Sequence, residues 1–177
     1  MNVFIGCSSR ENIPSVYKNS ACKLAEYLSS KDYNLIVGGI DGIMGSIKDI
    51  FLKNKKDVII MSVIGYYDVE DTTLKVYHYN NVSDRKYSLI NNSNLIIFLP
   101  GGLGTIDEIF TSIESKRANE HDNDIIIVNF NNYYDDLIKQ LNKMYKEKFA
   151  DSYNKELYYI ADNIDEVISY IEEECMR

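Results

Sequence analysis

Gly101, Gly102, Gly104, Thr105, Asp107 and Glu108 are the residues of this chain best suited by type and spacing to do chemistry. They lie in Leu99-Pro100-Gly101-Gly102-Leu103-Gly104-Thr105-Ile106-Asp107-Glu108, between an apolar run from Asn94 to Leu99 and a helical pattern. Glycines let the backbone bend sharply so that its N–H groups converge, and a helix beginning there adds positive potential. Such a turn binds anions, phosphate foremost. A phosphate cradle has no need of acids one turn further on, so Asp107 and Glu108 are candidates for work on whatever the phosphate carries. The same residues have a plainer use. Thr105 and Glu108 have the spacing of a capping box, and a helix dipole favours acids in a first turn by roughly 0.3–1 kcal/mol. Their joint position after a buried strand favours the ligand reading, because open α/β sheets bind at the carboxyl ends of their strands.

The elements that must position this turn follow from periodicity. Strands are expected at Asn2 to Gly6, Asn34 to Val37, Asp57 to Ile64, Leu74 to Tyr79, Asn94 to Leu99, Asp124 to Asn129 and Leu157 to Ile160. Helical spacing runs from Pro14 to about Ser30, on to about Asn54, through Asp84-Arg85-Lys86, to about Arg117, from Tyr133 to Phe149, and from Ile164 to Glu174. A loop is expected over Gly65 to Thr73. Strands alternating with helices, several of the strands continuously apolar, predict an α/β fold: a single doubly wound, mostly parallel, Rossmann-like sheet with helices on both faces. No linker or repeat divides it, so residues 1–177 read as one domain. Ser8, in Gly6-Cys7-Ser8-Ser9, and Gly38 with Gly39 follow the first two strands and are expected to border the ligand crevice. Gly45 serves equally well for close packing. Glycines at 38, 39, 42 and 45 do not form the GxGxxG fingerprint after the first strand, which disfavours NAD.

Composition narrows the partners. A net charge of −8 and a pI near 4.8 argue against non-specific nucleic-acid binding and against anionic membrane surfaces. No run is long and apolar enough for a membrane span, and Met1 to Gly6 opens as a strand rather than a signal peptide. Cys7, Cys22 and Cys175 are scattered and odd in number, the pattern of a reducing compartment. The cytoplasm is the expected location. Only His78 and His121 are present, so a histidine-rich metal site is not available.

Four segments together carry a resemblance. Pro100 to Glu108 has the form PGGxGTxxE, Asp84-Arg85-Lys86 stands upstream like an ERK, Gly6-Cys7-Ser8-Ser9 is similar to a first-strand GSS, and Gly38 to Gly45 is similar to GGGxxGLMG. Across nearly its whole length the chain resembles the Lonely Guy family, also known as "possible lysine decarboxylase". The resemblance implies a phosphoribohydrolase that cleaves the N-glycosidic bond of a nucleoside 5′-monophosphate, AMP or a cytokinin riboside monophosphate, to free base and ribose 5-phosphate. It implies no metal and no cofactor, and a homodimer. The decarboxylase label finds no support, since pyridoxal chemistry wants a Schiff-base lysine and none lies beside the glycine turn.

On this resemblance Arg85 and Glu108 are the expected catalytic residues. Glycosidic cleavage develops oxocarbenium-like charge that a fixed carboxylate stabilises. Ser8, Gly38, Gly39, Lys86, Gly101, Gly102, Leu103, Gly104, Thr105 and Asp107 are the expected substrate-binding set. Arg85 is read as a surface position, whose loss leaves the melting temperature nearly unchanged, and Asp107 more readily as a helix-start charge than as a second acid. Glu114-Ser115-Lys116-Arg117 stands where the family carries Thr-Trp-x-Gln, and Gly65 replaces a proline. Those regions border the base, so cytokinin, adenine and pyrimidine remain alternatives. A different class is a carrier that binds a phosphorylated, nucleotide-like cofactor and releases it intact, as molybdenum-cofactor carriers do. Arg85 and Glu108 together favour the enzyme.

Overall fold

Short apolar runs and longer amphipathic ones alternate along the chain, and the computed structural model, which describes residues 1–65 and 74–175, turns them into alternating strands and helices. The strands are β1 (Asn2–Gly6), β2 (Asn34–Val37), β3 (Val58–Val63), β4 (Lys75–Tyr79), β5 (Leu95–Phe98), β6 (Asp124–Val128) and β7 (Tyr159–Ala161). The helices are α1 (Ser15–Ser30), α2 (Gly42–Lys53), α3 (Val82–Asn91), α4 (Leu103–Arg117), α5 (Asp135–Lys146) and α6 (Ile164–Tyr170). The described strands form one sheet in the order β4-β3-β2-β1-β5-β6-β7, and every pairing is parallel. This is the expected Rossmann-like, doubly wound arrangement.

Alternation along the strands divides the core. Val3, Ile5, Leu35, Val37, Leu95, Ile97, Ile126 and Val128 face the layer built by α1, α2 and α6, where Leu24, Leu28, Ile47, Phe51 and Val167 are buried. Phe4, Ile36, Ile96, Phe98, Ile125 and Ile127 face the other layer, with Leu89 and Ile90 of α3 and Ile109 and Ile113 of α4. Each such side chain contributes about 1.5–3 kcal/mol by leaving water. Strands buried on both faces have to be apolar at every position, which is why their runs are continuous.

Strand order reverses between β1 and β5: the chain moves outward through β2, β3 and β4, then returns to pair β5 with β1. Ligands of open α/β sheets sit beyond the carboxyl ends of the strands at this reversal. Here those ends carry the Gly6–Arg10 and Pro100–Thr105 segments.

Several boundaries differ from expectation for local reasons. Pro14 stands just before α1, with extended ψ of 132°, rather than inside its first turn. The helix expected from Tyr133 begins at Asp135, because Asn131 and Asn132 adopt positive φ in a 3-10 turn and the Asn129 side chain accepts the Tyr134 N–H at 2.7 Å. It stops at Lys146, two residues before Lys148 at φ 63°. Leu157 belongs to a 3-10 segment over Ser152–Leu157, so β7 starts at Tyr159, and the last helix passes into a π-helical turn at Ile171–Cys175. The loop expected over Gly65 to Thr73 lies, beyond Gly65, outside the described residues.

Candidate functional site

The four residues after β5 turn back over the sheet and open α4 at Leu103, with Gly102 in extended backbone as its cap. The first helical hydrogen bond runs from Ile106 N–H to Gly102 O at 3.0 Å. The N–H groups at the helix start therefore lack intrahelical acceptors, as in any helix. A Cβ at Gly101 would overlap Thr105 Oγ1, so the turn folds directly onto the Thr105 side chain. Two tyrosines hold its carbonyls from behind: Tyr133 Oη donates to Gly101 O at 2.7 Å and Tyr134 Oη to Leu99 O at 2.8 Å. Burial keeps the Tyr134 phenol neutral, and so a donor.

The capping box is absent. Thr105 lies inside the helix and is buried, no side chain caps the α4 N-terminus, and Glu108 faces elsewhere. Glu108 Oε1 accepts from Arg85 Nη2 at 2.7 Å, with the two side chains 10% and 17% exposed. Beside this pair Lys86 donates to Asp107 at 2.8 Å. Adjacent residues of α3 thus reach adjacent residues of α4 through two parallel ion pairs. Arg85 is enclosed rather than solvated, contrary to the surface position expected of it. Asp107 stands past the first turn of α4 and is paired with Lys86, so it is not a helix-start charge.

Glycines at the ends of β1 and β2 make room for the inner pair. A Cβ at Gly6 would fall 3.2 Å from Glu108 Oε2 and 2.6 Å from Phe98 Cδ1. One at Gly38 would fall 3.1 Å from Arg85 Nη1. Gly45 packs on the Ile40 carbonyl of its own turn rather than on a strand. Burial pushes the Glu108 carboxyl up to about 7, against the pull of the Arg85 guanidinium. Arg85 Nε is buried without a hydrogen-bond acceptor among the described residues. Burial, with Glu108 nearby, pushes the Cys7 thiol far up, so Cys7 is no thiolate nucleophile.

These groups meet in a cavity of about 450 Å³ at the strand-order reversal. Of the expected site residues it brings together Ser8, Gly38, Arg85, Gly102, Leu103, Gly104, Thr105 and Glu108. Gly39, Lys86, Gly101 and Asp107 are not in its wall: Gly39 and Gly101 are buried behind it, and Lys86 and Asp107 occupy each other. Ser9, of the same Gly6-Cys7-Ser8-Ser9 segment as Ser8, also lines it, and sequence reading missed Arg10, Met44, Val63 and Val82. Arg10 had a signal, since it continues Gly6-Cys7-Ser8-Ser9; the apolar members had none that distinguishes them from core.

The geometry gives a direct prediction. Gly6→Ala removes no functional group, yet its methyl must displace Phe98 and crowd Glu108. Loss of about 1–3 kcal/mol of stability is expected from the overpacking, together with a fall in any activity that depends on the Glu108 position. Denaturant melts and a rate assay check both, and a Gly6→Ala protein as active as wild type would mean that the carboxylate position is not critical.

Comparison with known proteins adds three findings. Residues 42–171 match the family model described as "Possible lysine decarboxylase". The chain is 28% identical over 175 residues to the rice (Oryza sativa subsp. japonica) "Probable cytokinin riboside 5'-monophosphate phosphoribohydrolase LOG4", covering 97% of this chain and 75% of that one. It is 27% identical to the Arabidopsis thaliana "Cytokinin riboside 5'-monophosphate phosphoribohydrolase LOG3", covering 97% and 81%. Among solved structures, the molybdenum cofactor carrier protein from Chlamydomonas reinhardtii superposes with a TM-score of 0.73 at 13% identity, covering 99% of this chain and 98% of that one. At that identity the likeness concerns the fold.

Proposed function

The chain belongs to the Lonely Guy, or "possible lysine decarboxylase", family, and from that membership we propose that it is a phosphoribohydrolase that splits a nucleoside 5′-monophosphate, AMP or a cytokinin riboside monophosphate, into free base and ribose 5-phosphate. The observation that carries the reading is the buried Arg85–Glu108 pair in the same cavity as the α4 N-terminus. The helix start is suited to the 5′-phosphate, and Glu108, a turn further along, to the ribose. As the C1′–N bond breaks, its electrons leave with the base and positive charge grows on the sugar. The Glu108 carboxylate opposes that charge, water adds at C1′, and the departing proton passes to base or solvent. Arg85 holds Glu108 in place and favours its charged form, and its free Nε–H offers a donor to substrate. Lys86 and Asp107 act as a brace between α3 and α4. Gly39 and Gly101 shape the turns that carry the wall.

Decarboxylation through pyridoxal phosphate fits poorly, because among the described residues no lysine lines the cavity. Free thiols at Cys7 and Cys22 accord with a cytoplasmic enzyme. The family suggests a homodimer, and light scattering tests it. Among the described residues no helix is long and apolar enough to cross a membrane.

Pure protein incubated with AMP, a cytokinin riboside monophosphate and their nucleosides should release base from the monophosphates and little from the nucleosides. Chromatography of the products decides. Equal turnover of nucleotide and nucleoside would remove the phosphate from the reading. A nucleotide bound tightly and recovered intact would instead identify a carrier.

A further inference from the structure

The cavity wall contains two arginines in opposite circumstances. Arg85 is committed to Glu108 and enclosed. Arg10 is exposed, and none of the ion pairs among the described residues includes it. With Arg85 and Glu108 offsetting each other, Arg10 is the charge left over in the described wall. An uncommitted cation in the cavity of a chain whose net charge is −8 calls for an anionic occupant.

The backbone that carries Arg10 is fixed in relation to the glycine turn. Leu99 N–H donates to Gly6 O at 2.9 Å and Ser8 N–H to Pro100 O at 3.3 Å, tying the β1–α1 loop to the segment that opens α4. Arg10 N–H donates to Ser8 Oγ at 3.1 Å. On the other side Ile43 N–H donates to Ser8 O at 3.1 Å and Gly42 N–H to Glu11 Oε1 at 2.9 Å. Gly42, at φ 60°, lies so close that a Cβ there would stand 2.8 Å from Arg10 O. The loop is held from both glycine-rich turns while the guanidinium stays free at the cavity. A phosphate dianion on the α4 amides retains charge that those neutral donors do not cancel, and a guanidinium fork matches phosphate oxygens in pairs.

We propose that Arg10 is the residue that makes this site specific for a phosphorylated ligand, engaging the phosphate from the β1–α1 loop while the start of α4 holds it from β5. This rests on the phosphate placement proposed above. Because the phosphate is held alike in ground and transition states, Arg10 acts on KM and leaves kcat nearly unchanged.

Titration calorimetry with inorganic phosphate and with ribose 5-phosphate, alongside AMP kinetics, tests it in wild type, Arg10→Gln and Arg10→Lys. Arg10→Gln is expected to bind both probes about tenfold or more weakly, the scale of one charge-assisted hydrogen bond, to raise KM for AMP by a similar factor, and to melt with wild type. Arg10→Lys should recover part of the affinity. Added salt should narrow the difference, since the side chain is exposed. Equal probe affinity in wild type and Arg10→Gln overturns the assignment and leaves the hydrolase reading standing. Phosphate binding that depends on Arg10, in a protein that cleaves none of the nucleotides, supports the assignment and overturns the hydrolase reading. A wild-type protein that binds neither probe overturns the assignment, and one that also cleaves none of the nucleotides overturns the hydrolase reading with it.

Discussion

Glu108→Gln is expected to fold like wild type and to cleave AMP slower by on the order of a hundredfold or more, the scale on which a single electrostatic stabiliser acts. Gln has nearly the shape of Glu and can still accept from Arg85 Nη2, so packing at this buried position survives. What disappears is the negative charge. With no capping box at the α4 N-terminus, a loss of rate cannot be assigned to a weakened helix start. The pH dependence is a second readout. Burial sets the Glu108 carboxyl at about 7, so wild-type activity should rise with pH through that region as the carboxylate forms. Stability runs the other way. The folded value lies above an ordinary carboxyl near 4.3, so the folded state binds this proton more tightly. The stabilisation is complete below the ordinary value and is lost as pH rises through about 7. The Gln variant has no such proton, so it should gain on wild type in melting temperature between about pH 5 and pH 8. Turnover and thermal melts of the two proteins over that range check both signs. A Glu108→Gln protein turning over near the wild-type rate would remove Glu108 from the chemistry.

How much of this was legible in the sequence depends on the range over which each signal acts. The glycine turn, the continuous strands and the helix spacing are local, and they place β5, α4 and the parallel class within a few residues. The ends of α5 and the start of β7 are set by positive φ at Asn131, Asn132 and Lys148 and by the Asn129 side chain, which hydrophobic periodicity does not register. Partners across the fold are harder still. Thr105 and Glu108 have the spacing of a capping box, yet Glu108 turns to Arg85, 23 residues earlier, because α3 and α4 lie side by side. An Arg-Lys step reads as a solvated face until α4 supplies a carboxylate for each. Gly38 does border the crevice, but its role there is to accommodate the Arg85 guanidinium, which no neighbour in sequence discloses. Arg10 is marked in the sequence only by following Gly6-Cys7-Ser8-Ser9. Its significance lies in the absence of an acidic partner among the described residues, a property of the assembled cavity.

Arg85→Ala should separate the two duties of the inner ion pair. Activity should fall by on the order of a hundredfold or more, because the carboxylate loses the cation that orients it. Stability should fall as well, in contrast to the surface reading, but by an amount that depends on pH. Removing one partner of a buried pair costs about 3–5 kcal/mol when the other must stay charged. Glu108 has an escape: Arg85 is what lowers its pKa, so without Arg85 the carboxyl rises further above 7 and takes up a proton. At about pH 5 Glu108 is protonated with or without Arg85 and the variant should melt close to wild type, whereas above pH 7 the gap should open by at most about 1.4 kcal/mol per pH unit. Any residual activity should show its acid limb moved to higher pH. Arg85→Lys should restore part of the stability and little of the rate, since an ammonium on a flexible stem does not reproduce the guanidinium geometry. Combining Arg85→Ala with Glu108→Gln removes both charges, so the double variant should regain at about pH 8 the stability that Arg85→Ala lost, with no return of activity. Melting curves at the two pH values and a pH–rate profile for the three proteins complete the test. An Arg85→Ala protein with a near wild-type rate and an unmoved acid limb would leave the ion pair a brace between α3 and α4 and nothing more.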